Sequence, residues 1–441
     1  MSWNNLVLFM NKKNILNLFV GFSILTTSVY AAIRLLSIFI QTGLIRDEVF
    51  FIKGFDVFID SGFSEANVLG NSTFFNCISF LFYQVGIERV MAMRMTSLFF
   101  GLASILLLWL FVKRNYSYLP KLYRRSIIIT SVNAMVLLSF IFKGINDSVL
   151  TFFTLLFFII FFHIKKNRES KSLYIYLGLI LALMLSTRMM SVLIFPTFFL
   201  ILGVYFYKEK INYKLIIHKS TFIVVSFIIG LLLLNYPSIK EKGKLSFMEK
   251  KIEYKNVSWP QVQYLTAIWL EEGKLKYGKH CKPEDVVAYI DENGSNSLPN
   301  SVFETITFNI PRSIKTSTRE AVYLIKPYTR ILGLVFVFGL FFFFKGVFKK
   351  EITFKKIINN EIAAFFINYN IIIVLIICSY VEPRWFLPVI VLIPILFFSY
   401  FYKYVKSKNK NKLEFLFFVA HFLLLGLMNI KFIINNYKYL I

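Results

Sequence analysis

Long apolar stretches recur along the whole of this 441-residue chain and constrain its fold more than any other feature. Hydrophobic residues make up 57% of the chain and charged residues only 17%. A soluble domain carries about 25% charged residues, so this much apolar surface must be buried in protein or in lipid. About 20 continuous apolar residues suffice for a helix to cross a bilayer with its backbone groups bonded internally. The sequence therefore predicts an all-α polytopic membrane protein.

Eleven stretches have the length and composition expected of transmembrane helices. They cover residues 15–40, 90–112, 126–143, 148–164, 172–186, 189–207, 216–236, 328–345, 361–379, 386–402 and 413–434. Several of them are short, which fits tilted or partly re-entrant segments. We expect about eleven spans.

The net charge of +26 is distributed unevenly between the loops. If the N-terminus is cytoplasmic, half of the 50 basic residues fall in the inner loops and only a handful in the short outer ones. An excess of Lys and Arg on the cytoplasmic side is the usual pattern of polytopic proteins. The charge therefore predicts a cytoplasmic N-terminus and an outer C-terminus, and it needs no nucleic-acid partner.

The loops divide the chain into three predicted regions: an N-terminal membrane domain (1–236), an extracytoplasmic insert (237–327) and C-terminal membrane helices (328–441). The first outer loop, 41–89, is expected to form two interfacial helices. In the insert, the stretch KPEDVVAYIDENG predicts a short helix that starts at Pro283 and ends before Gly294. Ser317 and Glu320 resemble a capping box, and the helix after them is expected to stop before Pro327.

The candidate site residues are the few charged side chains that the topology places together on the outer face. Ionisable groups near a membrane are costly and usually functional. A carboxylate pair among several cations suits a general base that faces an anionic leaving group. The candidates are Asp47 and Glu48 as catalytic residues, with Arg94, Asp147, Arg188, Glu382 and Arg384 as substrate-binding residues.

Each candidate also has a purely structural interpretation. Asp47 and Glu48 suit a solvated turn after a helix, and Arg94 and Arg188 suit interfacial anchors whose long side chains reach toward water. Asp147 suits a helix N-cap. Arg384 precedes Trp385, a residue type that is common in the aromatic belts of membrane proteins. Their shared position on one side of the membrane favours function.

Motifs for other chemistries are absent from the sequence. There is no P-loop, GxGxxG, HExxH or GxSxG pattern, so nucleotide-driven transport, dinucleotide redox chemistry and common hydrolytic mechanisms lack their parts. Three cysteines without a CxxC pair and four scattered histidines predict neither a disulfide framework nor a metal site. We expect no cofactor, and the sequence does not indicate a divalent metal but leaves metal dependence open.

Four stretches together resemble the GT-C superfamily of integral-membrane glycosyltransferases, which includes protein O-mannosyltransferases and bacterial lipid A aminoarabinose transferases. They are IRDEVFF at 45–51, MRMTSLFFGLASILLLWLF at 93–111, STRMMSVLIFP at 186–196 and EPRWFLPVIVLIP at 382–394. The resemblance covers most of the membrane part but not the insert. In size and composition the chain is also similar to bacterial serotype-converting glucosyltransferases that decorate O-antigen.

The resemblance implies an inverting transfer of a sugar, such as glucose, from a polyprenyl-phosphate carrier to a glycan or lipid-linked acceptor. It places the protein in the bacterial inner membrane with its site on the periplasmic side. Asp47 would be the general base, supported by Glu48, and Arg94, Arg188 or Arg384 would bind the carrier phosphate. Two alternatives stay open: a polysaccharide polymerase that uses Arg312 and Arg319 of the insert, and a lipid-linked sugar flippase or other transporter.

Overall fold

The computed structural model describes residues 12–40, 43–44, 47–138, 140–247, 257–349, 360–376 and 382–437. Within these ranges the chain is helical and contains no strand. The N-terminal part consists of α1 (Lys12–Ile40), α2 (Glu48–Val68), α3 (Thr73–Gln84), α4 (Arg89–Asn115), α5 (Lys121–Leu138), α6 (Asp147–Lys166), α7 (Lys171–Thr187), α8 (Phe195–Lys208) and α9 (Tyr213–Leu234).

The described part of the remainder is also helical. Its helices are α10 (Tyr236–Lys242), α11 (Trp259–Glu271), α12 (Pro283–Asn293), α13 (Val302–Phe308), α14 (Ile310–Leu332), α15 (Leu334–Phe348), α16 (Glu361–Ile376), α17 (Leu387–Ile390), α18 (Ile393–Lys408) and α19 (Asn411–Tyr437). Three short 3-10 segments, Phe140–Phe142, Met189–Leu193 and Pro383–Phe386, interrupt the helices.

Six helical segments among the described residues are long and apolar enough to cross a membrane, and a seventh is obtained if a bent pair counts as one span. The bent pair joins Pro383–Ile390 to Ile393–Lys408 at 47°. Each of the eleven predicted stretches overlaps a helix, but the stretch 328–345 is divided between α14 and α15, and residues 377–379 of another lie outside the described ranges. The helices α7, α15 and α16 are shorter apolar helices, and α5 is not among the six segments. The structure supports a polytopic helical membrane protein, and the count of eleven spans stays a prediction.

Small residues bring pairs of helices into close contact. The helices α7 and α9 cross at Gly178, where a Cβ atom would collide with Ser226 and with the backbone of Ile223. In the same way Gly426 of α19 lies against the ring of Phe22 in α1. Small side chains at helix crossings let backbones approach closely, which is a main source of packing energy inside a bilayer.

The first outer loop contains the two predicted helices, α2 and α3. The helix α2 is interrupted at Gly62, whose φ of 84° favours glycine. Asp47 precedes the first turn of α2, where it is positioned by the helix rather than by a flexible loop.

The insert has a hydrophobic core of its own, separate from the core of the membrane bundle. Leu265, Ile268, Cys281 and Val286 are buried together between α11 and α12. The predicted helix at 283–293 is confirmed, with Pro283 in its first turn and Gly294 directly after its end. Burial raises the pKa of the Cys281 thiol to about 11, so this side chain is protonated and unreactive at neutral pH.

Two predictions about the end of the insert are wrong. The helix α14 does not begin at Ser317, because it starts at Ile310 and is capped by the Asn309 side chain, which accepts a bond of 3.0 Å from the Arg312 backbone N–H. It also does not stop before Pro327 but continues to Leu332. Pro327 has no backbone N–H, so the helix lacks one hydrogen bond at this point. Leu324 before the proline and Tyr328 after it are buried, and this packing offsets the loss.

Candidate functional site

Glu48 and Arg94 form an ion pair that is closed to solvent. The guanidinium donates two bonds to the carboxylate, from Nε to Oε1 at 3.1 Å and from Nη2 to Oε2 at 2.8 Å. The Glu48 side chain is 0% exposed and that of Arg94 is 2% exposed. A buried pair of this kind is stable only when its hydrogen-bonding groups are satisfied. We call it the closed pair.

Backbone groups complete the hydrogen bonding of the closed pair. Arg94 also donates to the carbonyl oxygens of Ile38 at 3.1 Å and Gly43 at 2.8 Å, and the Gly144 backbone N–H donates to Glu48 at 2.8 Å. The pair thereby joins the end of α1, the start of α2, the helix α4 and the turn before α6. This geometry favours a positioning role for Arg94 over direct contact with a substrate.

The other five candidate side chains come together in a second group, which we call the open cluster. Arg384 is its centre and pairs with Asp47, with Glu382 at 2.6 Å and with Asp147 at 3.7 Å. Arg188 pairs with Asp147 from the other side. Residues that are up to 337 positions apart in the sequence are therefore linked through one guanidinium.

Exposure increases from the base of the open cluster to its rim. The side chains of Asp147 and Arg384 are 3% and 6% exposed, whereas those of Arg188, Asp47 and Glu382 are 17%, 20% and 26% exposed. Three carboxylates and two guanidinium groups give the cluster a net charge of −1 when all are ionised. An incoming molecule therefore meets Asp47, Glu382 and Arg188 before it reaches Arg384.

A 3-10 turn holds Arg384 in place. The backbone of Pro383–Phe386 is fixed by a 2.5 Å bond from the Tyr369 hydroxyl to the Trp385 carbonyl oxygen. The ring of Phe386 is fully buried, with the rings of Tyr369 and Tyr328 about it at 6.1 and 6.0 Å. This packing explains why the sequence EPRWFLP places a charged side chain inside the bundle.

Polar side chains that the sequence analysis missed hold the positions of Asp147 and Arg188. The Thr187 carbonyl, directly before Arg188, accepts bonds of 2.6 Å from both Asn146 and Ser72. Both of these side chains are buried. Asn and Ser are common at helix ends and in loops, so no sequence signal distinguished Asn146 and Ser72.

Asp147 is not the N-cap of α6. The cap position is Asn146, and Asp147 is the first residue of the helix, with its carboxylate against Arg188 and Arg384. Its Oδ2 atom is buried and accepts no hydrogen bond from the described residues, as is the case for Asn146 Oδ1 and Ser148 Oγ. Buried polar atoms of this kind are usually satisfied by water or by a ligand.

The described residues contain no group of three or more His, Cys, Asp or Glu side chains placed to hold a metal ion. The two arginines of the insert that the polymerase alternative would use are engaged with acids of the insert. Arg312 lies 3.4 Å from Glu271, and Arg319 lies 2.8 Å from its neighbour Glu320. These two arginines belong to α14 and are not part of the open cluster.

Comparison with known proteins identifies no family for this chain, because no family model, no curated protein and no solved structure matches it.

Proposed function

We propose that the protein is a membrane glycosyltransferase that moves a sugar from a polyprenyl-phosphate carrier to a glycan or lipid-linked acceptor. The observation that carries the proposal is the open cluster, in which the rim carboxylate Asp47 lies against Arg384, and Arg384 shares Asp147 with a second cation, Arg188. A base for a hydroxyl and cations for a leaving phosphate are the two parts that such a transfer needs.

The chemical step is a single displacement at the anomeric carbon of the donor sugar. The acceptor oxygen forms the new bond to this carbon while its proton moves to the Asp47 carboxylate. The bond to the carrier phosphate breaks, and the negative charge that grows on the phosphate oxygen is stabilised by Arg384 and Arg188. One displacement of this kind inverts the anomeric configuration.

The ion pair between Asp47 and Arg384 links donor binding to the action of the base. Without a bound donor, an acceptor hydroxyl must compete with Arg384 for the Asp47 carboxylate. When a carrier phosphate binds Arg384, it replaces the Asp47 carboxylate as the anionic partner of this arginine. Asp47 is then available to accept the hydroxyl proton. In this mechanism Glu48 acts indirectly, because its bonds to Arg94 and Gly144 hold the start of α2 and thus the backbone of Asp47.

The distribution of charge supports the proposed location. The apolar helices support membrane association, and the excess of basic residues in the predicted inner loops supports a cytoplasmic N-terminus. We place the protein in a bacterial inner membrane with the open cluster on the periplasmic side. This placement suits a hexose such as glucose as the transferred sugar. It also suits O-antigen or another surface polysaccharide as the acceptor.

The test is sugar transfer in membranes that contain the full chain, a polyprenyl-phosphate glucose donor and an O-antigen acceptor. We expect Asp47→Asn to lower the transfer rate by about 10²- to 10⁴-fold, the usual contribution of a general base, with unchanged insertion and expression. Glu65→Gln is the matched control, because it removes an exposed carboxylate from the same helix.

Full activity of Asp47→Asn would contradict the proposed mechanism. The polymerase would be favoured instead if Arg312→Gln and Arg319→Gln lost activity while Asp47→Asn stayed active.

A further inference from the structure

The helix α14 has three distinct faces, of which only one is buried. Thr316, Glu320, Leu324 and Tyr328 are buried and form the inner face. Successive residues of an α-helix are rotated by about 100°, so the inner face occupies less than half of the circumference. The other two faces carry the exposed side chains of the helix, although Glu271 and Tyr277 of the insert contact part of one of them.

The second face is an apolar stripe. Ile314 is 63% and Val322 62% exposed, and Ile310 and Ile325 are exposed beside them. At about 100° per residue these four side chains fall within a sector of roughly 120°. Exposed branched side chains in such a row are typical of a surface that is covered by another apolar phase.

The third face is a basic stripe directly beside the apolar one. All the basic residues of α14 lie within a sector of roughly 60°, and they are Arg312, Lys315, Arg319, Lys326 and Arg330. The helix has one acid, Glu320, and it is buried on the inner face. Glu271 approaches Arg312 and Lys315, whereas Lys326 and Arg330 are exposed near the end of the helix.

The basic stripe points away from the open cluster. Tyr328, on the inner face, lies against Phe386 of the turn that holds Arg384. Lys326 and Arg330 are two residues before and after Tyr328, which places them on the opposite side of the helix. Their ligand is therefore distinct from the carrier phosphate that we assign to Arg384.

We propose that the two exposed stripes of α14 dock onto the anionic surface of a phospholipid bilayer. The apolar stripe would enter between the acyl chains while the basic stripe lies at the level of the lipid phosphates. Charge complementarity favours this occupant, because the exposed basic residues near the end of the helix suit a negatively charged surface. Continuity with the membrane part favours it too, because only Gly333 separates α14 from the apolar helix α15.

The first test measures contact with lipid directly. The full chain is placed in nanodiscs of phosphatidylglycerol and phosphatidylcholine, with a fluorescent amino acid at position 314 or 322 and nitroxide-labelled lipid as quencher. The control carries the fluorophore at position 291, an exposed site on α12. We expect quenching at 314 and 322 to exceed that at 291 severalfold. Equal quenching at all three positions would overturn the proposal.

The second test measures preference for anionic lipid. We expect the double variant Lys326→Gln/Arg330→Gln to lose co-purifying phosphatidylglycerol relative to phosphatidylcholine, by up to about fivefold for each basic residue removed. Lys276→Gln/Lys279→Gln removes the same charge from another exposed part of the insert and is the control. An unchanged lipid ratio, or an equal loss in the control, would contradict the proposal.

Other occupants give different outcomes in the same samples. Strong quenching between fluorophores at position 314 on two copies, without quenching by lipid, would show that a second copy covers the face and would overturn lipid docking. Neither test measures sugar transfer. A failure here therefore leaves the glycosyltransferase proposal intact, and the reverse also holds.

Discussion

Two neighbouring carboxylates, Asp47 and Glu48, belong to charge clusters of opposite character. Glu48 is fully buried in the closed pair, where Arg94 and the Gly144 N–H satisfy its oxygens. Asp47 lies at the rim of the open cluster against Arg384. Consecutive residues at the start of a helix point about 100° apart. One acidic doublet thus supplies a buried carboxylate on one side and a partly exposed carboxylate on the other.

The difference in burial and partners indicates which charged side chains are able to contact a substrate. A buried charge whose bonds go to fixed protein groups stabilises one arrangement of the chain, and the loss of one partner leaves the other charge uncompensated. A partly exposed charge that shares a partner with other carboxylates can exchange that partner. Arg384 shares its guanidinium among three carboxylates, and the proposed mechanism requires a phosphate to replace one of them.

The largest loss of stability is expected from breaking the closed pair. Arg94→Ala leaves the Glu48 carboxylate buried without its cation and should destabilise the protein by about 3–5 kcal/mol. The measurement is the thermal unfolding midpoint of the purified protein in detergent. Arg94→Lys keeps the charge but not the paired hydrogen bonds and should lie between Arg94→Ala and the unmodified protein.

Arg89→Gln is the matched control for the closed pair. Arg89 lies in the first turn of the same helix and also pairs with two carboxylates, Asp56 at 3.0 Å and Asp60 at 3.3 Å, but its side chain is 40% exposed. An exposed pair contributes at most about 1 kcal/mol. Similar unfolding midpoints for Arg89→Gln and Arg94→Ala would break the distinction between the two kinds of charge.

A loss of donor binding is expected from the centre of the open cluster. Arg384→Ala should weaken the apparent affinity for the polyprenyl-phosphate donor by about 10- to 100-fold, because a charged hydrogen bond contributes about 1.5–3 kcal/mol. The measurement is the transfer rate as a function of donor concentration. An unchanged apparent affinity would remove Arg384 from the donor site.

The smallest effect is expected at the rim. Glu382→Gln removes a carboxylate that is 26% exposed and pairs with Arg384 at 2.6 Å. Because solvent screens such a pair, the unfolding midpoint should change little, by the equivalent of at most about 1 kcal/mol. Loss of one anion next to Arg384 should at the same time strengthen donor binding. A large drop in the unfolding midpoint would show that Glu382 stabilises the fold, as the closed pair does, and would contradict its assignment to the rim.

Local sequence patterns predicted the helical class, the helix at 283–293 and the two helices of the first outer loop. Each of these depends on short-range features: apolar length, a proline in the first turn, or a glycine after the end. The alternation of inner and outer loops predicted that charged side chains from distant segments meet, which five of the candidates do, and their location on the outer side stays a prediction. These features belong to single segments.

The sequence did not predict which carboxylate each arginine binds, because these ion pairs depend on tertiary packing. Nothing in the residue types distinguishes Arg94, bound to Glu48, from Arg384, bound to Asp47. The start of α14 was missed for a related reason. Ser317 has the residue type of a cap, but its hydroxyl donates to the Val374 carbonyl at 3.3 Å inside a helix that began earlier.

We infer that Asp47 acts on the substrate whereas its neighbour Glu48 holds the structure. Asp47→Asn and Glu48→Gln, purified side by side, test it through the thermal unfolding midpoint and the transfer rate per folded molecule. We predict that Asp47→Asn unfolds close to the unmodified protein and has lost transfer, and that Glu48→Gln unfolds at a clearly lower temperature. A stable Glu48→Gln beside an unstable Asp47→Asn, or transfer that survives in Asp47→Asn, would contradict the account.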